Sequence, residues 1–130
     1  DAMTNTGDLA TKPSANDLVR QPVSALLWWC LPLALGIGAG FLRLSLRESA
    51  AVWTLSFAWM ATGCILNARR CHRLHCYISG PAFLVGPLAA ALIALGVVQF
   101  GSHALSYAID ATFAVVLASF IPELFGHKYI

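Results

Sequence analysis

Four long runs of apolar residues, separated by breaks of only a few polar ones, leave this chain few ways to fold. They cover about residues 24–42, 50–67, 80–100 and 106–125. Each is close to the about 20 residues with which an α-helix crosses a hydrocarbon core of about 30 Å. The breaks are too short to return a helix to its starting side, so each span must run antiparallel to the one before. The expected fold is all-α, a four-helix transmembrane bundle with short loops. Composition agrees: 58% hydrophobic and 11% charged residues in a chain of 130 lie outside the soluble range. The lipid bilayer is therefore the first partner. A formal net charge of +2, with arginines at segment ends, gives no basis for binding nucleic acid.

Residues 1–22 are rich in Thr, Asn, Asp, Ser and Pro and lack the apolar core of a signal peptide. They read as a flexible cytoplasmic tail, with a short interfacial helix over Asn16–Gln21. The transmembrane domain then occupies residues 23–130. Trp28 and Trp29 sit near the start of the first span, where aromatic belts form. Gly36 and Gly40 make a GxxxG pair that serves either close packing within the chain or a homo-oligomer. Ser79-Gly80-Pro81 reads as a stop, with Ser79 capping the third helix and Pro81 in its first turn. Pro87 then falls inside that helix. Lys12, Arg20, Arg69, Arg70, Arg73 and Lys128 fall on one side of the membrane, against Arg43 and Arg47 on the other. The positive-inside rule places both termini in the cytoplasm of a bacterium, across its inner membrane.

The stretch from Cys64 to Pro81, CILNARRCHRLHCYISGP, carries three of the four cysteines and two of the four histidines. If the second helix continues through Cys76, at about 100° per residue Cys64, Cys71 and His75 share one stripe. His72 and Cys76 form a second stripe beside it, and Arg69, Arg70 and Arg73 lie opposite. Two thiols and two imidazoles suit soft or borderline cations, Zn²⁺ or Cu⁺, while Hg²⁺ prefers the thiolates. A straight helix cannot close all four around one ion, so either it breaks or ligands come from elsewhere. Cys30 and Cys64 fall at similar depth in the inner half of the bilayer and supply candidates. A ladder from Cys30 or Cys64 through Cys71 to His75 or Cys76 would lead a thiophilic ion to the cytoplasm. In a reducing compartment these cysteines rest as thiols. Read as structure alone, they are small buried hydrophobes and the histidines are interfacial.

Asp110 is an acid well inside an apolar span, where a carboxylate is costly and points to transport or proton coupling. Tyr107 and His103 could share a polar path with it, and Glu123 lies near the inner end of the fourth span. No phosphate loop, HExxH, GxSxG or nucleotide fingerprint marks an enzyme. Haem would need axial histidines on facing helices, which this pattern does not offer.

At NARRCHRLHCYISGPAFL, residues 67–84, the chain resembles a family of small bacterial multispan proteins with the pattern N-A-x-R-C-x-R-x-H-C-x-x-x-G-P-x-F-L. Their C-terminal acid, Gly and Tyr are matched by Glu123, Gly126 and Tyr129, and the resemblance covers the second to fourth spans. It implies an association with heavy-metal, especially mercury, resistance. Mercuric-ion transport proteins pair vicinal cysteines in a first span, whereas Cys30 stands alone here. The expected function is to bind or translocate a thiophilic heavy-metal ion through Cys64, Cys71, His75 and Cys76. The alternatives are a membrane thiol-disulfide oxidoreductase using Cys71 and Cys76, and an accessory subunit of a larger complex.

Overall fold

The computed structural model describes residues 17–98 and 103–125, with the backbone but not the side chain of Cys71. Four helices are long and apolar enough to cross a membrane: α1 Pro22–Phe41, α2 Leu46–Cys71, α3 Leu74–Ala94 and α4 Ala104–Leu124. No strand occurs among the described residues. The chain is an all-α four-helix bundle.

Pairs across the helix interfaces show the antiparallel register. Between α1 and α2, Gly36 meets Trp53 while Trp28 meets Gly63. Between α2 and α3, Thr54 approaches Pro87 while Asn67 approaches Cys76. Between α3 and α4, Gly86 meets Thr112 while His75 meets Glu123. Every pair climbs one helix as it descends the next. The middle of the bundle is aromatic, with Phe57 within 5.2–5.9 Å of the Trp53, Phe83 and Phe113 rings, centroid to centroid. Lipid tails are as apolar as these side chains, so close contact rather than escape from water drives such packing. Glycine makes the contact possible: a Cβ on Gly36 would lie 2.9 Å from the Trp53 ring, and one on Gly86 2.7 Å from Thr112 Oγ1.

Local chemistry sets the helix ends. Pro22 opens α1 after the extended Gln21, where its fixed φ is an advantage. Residues Leu26–Cys30 form a π-turn immediately before the buried Pro32. Proline clashes with the carbonyl four residues back and gives it no N–H, and one wide turn relieves both. Ser45 and Glu48 close a capping box at the start of α2, each side chain bonding the other's backbone N–H.

Several boundaries differ from the sequence reading, among them the start of the second span, at Leu46 and not near Ala50, and the end of the third, at Ala94 and not near Phe100. The helix of the second span does not continue through Cys76: it ends at Cys71, His72 takes the left-handed conformation with φ 51°, and Arg73 caps α3. The third span thus starts at Leu74 and not near Gly80, placing Ser79 and Pro81 inside α3. No short helix forms over Asn16–Gln21 within the described part. Leu18–Arg20 is a turn, closed by Arg20 N–H on the Asp17 carbonyl at 3.1 Å. Asp17 and Leu18, which composition assigned to the tail, are buried against the bundle. The remaining tail, residues 1–16, lies outside the described residues, as do Lys128, Gly126 and Tyr129.

Candidate functional site

Breaking the helix at His72 redistributes the motif over two helices. Cys64 and Asn67 stay on the last turns of α2, while His75, Cys76 and Ser79 occupy the first turns of α3. Across that interface the two thiols face one α2–α3 seam, Cys64 bonded from α3 by Ser79 and Cys76 bonded from α2 by Asn67. Each is 1% exposed. Both sulfurs accept hydrogen bonds, Cys64 from Trp29 Nε1 and Ser79 Oγ at 3.4 Å each, and Cys76 from Asn67 Nδ2 at 3.4 Å.

Cys76 also belongs to a closed ring of six side chains. Its sulfur lies 3.3 Å from His75 Nε2, and His75 Nδ1 is 2.5 Å from Glu123 Oε1. Glu123 accepts from Arg73, Nη2 at 3.1 Å and Nε at 3.3 Å, as a forked pair. Arg73 Nη1 reaches Asp17 Oδ2 at 2.8 Å. Asp17 Oδ1 accepts from Asn67 Nδ2 at 3.1 Å, and Asn67 returns to Cys76. Leu18 N–H donates to Asn67 Oδ1 at 2.8 Å, so the segment before α1 is fastened over this end of the bundle.

The ring decides two chemical questions. A carboxylate on Nδ1 holds the proton there and leaves Nε2 as an acceptor, aimed at the Cys76 thiol. His75 is thereby positioned as the base for Cys76, with the Phe120 ring stacked on it at 4.3 Å. Second, one guanidinium faces two carboxylates. Burial disfavours the Arg73 cation, yet the Glu123 and Asp17 carboxylates outweigh it and raise its pKa, so Arg73 stays charged.

A partly open groove of about 340 Å³ lies beside Cys64 among all four helices, lined in part by Cys30, Cys64, His75 and Ser79. It sits under the ring, on the side of the membrane interior.

Several expected site residues are placed differently. The shared stripe of Cys64, Cys71 and His75 on one helix does not form, because His75 is on α3, and the Cys71 side chain lies outside the described residues. His72 and Cys76 do not pair either: His72 is exposed and its Nδ1 bonds Tyr77 Oη at 3.0 Å. Cys30 is exposed on α1, and its neighbour Trp29 reaches Cys64 instead. Arg73 does not turn outward with Arg69 and Arg70 but inward to the two acids. Asp110 is exposed on α4, about 20 Å along the helix from Glu123 at 1.5 Å per residue. It therefore takes no part in the ring, and His103 and Tyr107 contact each other at 6.4 Å. Gly36 is buried against Trp53, while Gly40 faces open space. Asp17, Asn67, Ser79 and Trp29 were not identified as site residues by sequence, Trp29 being read as an aromatic-belt residue and Ser79 as a helix cap. Asn67 and Ser79 do lie within the motif, and a polar residue one turn from a membrane cysteine was the available signal.

Among the described residues no three His, Cys, Asp or Glu side chains are arranged to hold a metal ion. What the geometry defines is an integral membrane bundle with a buried, hydrogen-bonded dithiol under an ion-paired ring. The chain matches no protein-family model, no curated protein and no solved structure.

Proposed function

We propose that the protein binds a thiophilic metal ion at Cys64 and Cys76 and passes it between the bilayer interior and the cytoplasm. The observation that carries this reading is the convergence of Trp29, Ser79, Asn67 and His75 on two sulfurs at one α2–α3 seam. Two thiolates make a soft site, and soft d¹⁰ cations of the mercuric or cuprous kind accept it without a third protein ligand. Zn²⁺, which wants four ligands, is served less well. The Cys76 proton displaced by the ion has an acceptor at hand in His75, backed by Glu123, and the Cys64 proton leaves on a water or hydroxide that the ion brings with it. Cys30, on the same groove, is the entry ligand from the membrane, and Asp110 serves proton coupling at the far end. The ring end faces the cytoplasm of a bacterial inner membrane, in line with Arg69 and Arg70 beside it. The resemblance to proteins associated with mercury resistance supports the same ion class.

Purified protein should retain about one soft ion per chain by elemental analysis, and Cys64→Ser or Cys76→Ser should each abolish retention. Retention unchanged in both variants refutes the assignment. The placement of both thiols at one α2–α3 seam favours one second reading, a reversible Cys64–Cys76 disulfide. An alkylation shift that depends on reductant, without metal retention, would select it.

A further inference from the structure

One large apolar recess lies away from the thiols. A partly open groove of about 620 Å³ runs between α1 and α2, toward the end of the bundle opposite the ring. Ala34 and Gly38 of α1 and Ser56 of α2 give it a floor of small residues, and Leu35, Leu55 and Trp59 flank them as exposed ridges. Gly38 has room to spare within its own chain, since a Cβ there would meet nothing within 4 Å. Small residues one turn apart let a second backbone come close, and close packing is what associates helices in lipid.

Ser56 gives an independent sign that more than an acyl chain belongs in the groove. The residue is 3% exposed and lines the groove, yet its hydroxyl has no partner among the described residues. Thr54 and Thr62 on the same helix satisfy theirs on the Ala50 and Ala58 carbonyls, at 2.7 and 2.9 Å. Ser56 lies about 15 Å along α2 from Leu46 at 1.5 Å per residue, near the middle of a hydrocarbon core of about 30 Å. An acyl chain at that depth offers a hydroxyl nothing to bond, whereas a polar side chain on another helix does.

Charges at the mouth of the groove identify the partner. Arg43 lies between the lining residues Leu42 and Leu44, and Glu48 is one turn before Val52 on the α2 face that continues through Ser56 and Trp59. Both are exposed, and Arg43 pairs with no acid among the described residues. A cation and a carboxylate at one mouth make the surface complementary to itself. Two copies inserted with the same topology are related by a two-fold axis along the membrane normal, which brings like residues to like depth. Ser56 then meets Ser56, each hydroxyl able to donate and to accept, and Arg43 of each copy comes opposite Glu48 of the other.

We infer that the protein forms a two-fold homodimer through this α1–α2 groove. The GxxxG pair is not the interface: Gly36 is taken up by Trp53 of its own chain, and Gly40 does not line the groove.

The test is resonance energy transfer between donor- and acceptor-labelled copies of the full-length protein in liposomes, over a range of protein-to-lipid ratios. Wild type should show saturable transfer above chance proximity. Gly38→Leu projects into the open groove and should weaken association by about tenfold or more, through lost close approach of the helices. Gly40→Leu, equally free of contacts in its own chain, should associate like wild type. Ser56→Ala should weaken association by about threefold to tenfold, the range for one hydrogen bond between membrane helices. Circular dichroism checks that each variant is folded, and Ser56→Ala, the mildest change, decides the matter if Gly38→Leu is not. Chance-level transfer for wild type at every ratio overturns the inference and leaves the groove to lipid. Loss of association in Gly40→Leu but not in Gly38→Leu also overturns it, by moving the interface to the other face of α1.

Discussion

Replacing Arg73 with methionine tests the ring most directly, because one guanidinium is the counter-charge for two carboxylates. Asp17 is 0% exposed and Glu123 is buried, so the variant strands both acids out of water. Breaking a buried ion pair by removing one partner costs about 3–5 kcal/mol. The Arg73 side chain itself retains 16% exposure, and the partial access of water places the expected loss at the lower end, about 3 kcal/mol. For a chain of this size that corresponds to a drop of about 10 °C in apparent melting temperature, read by tryptophan fluorescence in detergent. Asp17→Asn alone should cost less, about 1–2 kcal/mol, because Arg73 keeps Glu123 and the amide can still bond Asn67. The informative comparison is the double variant. Adding Asp17→Asn to Arg73→Met removes one stranded charge and should recover part of the loss, a non-additivity expected only of coupled groups. Melting of Arg73→Met within about 2 °C of wild type, or strict additivity in the pair, would refute the closed ring.

Gly36→Leu should destabilise by about 1–3 kcal/mol through collision with Trp53, whereas Gly40→Leu, facing open space, should melt like wild type; equal melting of both shows that the α1–α2 packing is wrong. Cys64 and Cys76 should resist a water-soluble maleimide in intact protein, and Asp17→Asn should speed labelling of Cys76 by loosening the segment above it; rapid labelling of wild-type Cys76 contradicts its burial. The raised Arg73 pKa has a defined sign. A cation whose pKa rises on folding stabilises fully below its unfolded pKa and loses that contribution only as pH climbs through the higher folded value. Melting temperature should therefore not fall through the ring between neutral and moderately alkaline pH; a fall that Arg73→Met abolishes would contradict this. Asp110→Asn should leave melting unchanged while altering the pH dependence of ion uptake, and identical uptake across a pH series ends its assignment.

The four spans were legible because length and hydropathy act locally, run by run. The turn at His72 was not, for a physical reason. Ser79-Gly80-Pro81 is the stronger breaker by local propensity, and no glycine or proline marks residues 71–73. What holds the chain in that turn lies 50 and 56 residues away, in the reach of Arg73 to Glu123 and Asp17. Asp17 was invisible for a related reason: in a stretch of Thr, Asn and Ser an acid looks solvated, and only its partners reveal burial. Cys64 and Cys76 were both identified as ligands, but on a continuous helix they fall on different faces; two helices bring them together. The choice of Trp29 over Cys30 depends on the phase of a helix with a wide turn at that point, which a uniform 100° step does not reproduce.

The order in which the ring's members leave the ribosome sets when it can close. Asp17 emerges first, and its counter-charge follows 56 residues later. The α2–α3 hairpin, with its two thiols, forms from neighbouring sequence and can enter the membrane as a unit. Glu123 arrives last, so a nascent chain holds Arg73 and His75 without their shared acid until the final span is in place. Domains assemble as they emerge, and incompletely packed species are the ones that misassemble. Here the polar closure at one end of the bundle forms only when all four helices are present, and a chain truncated before Glu123 would leave His75 without its acid and Arg73 with Asp17 alone.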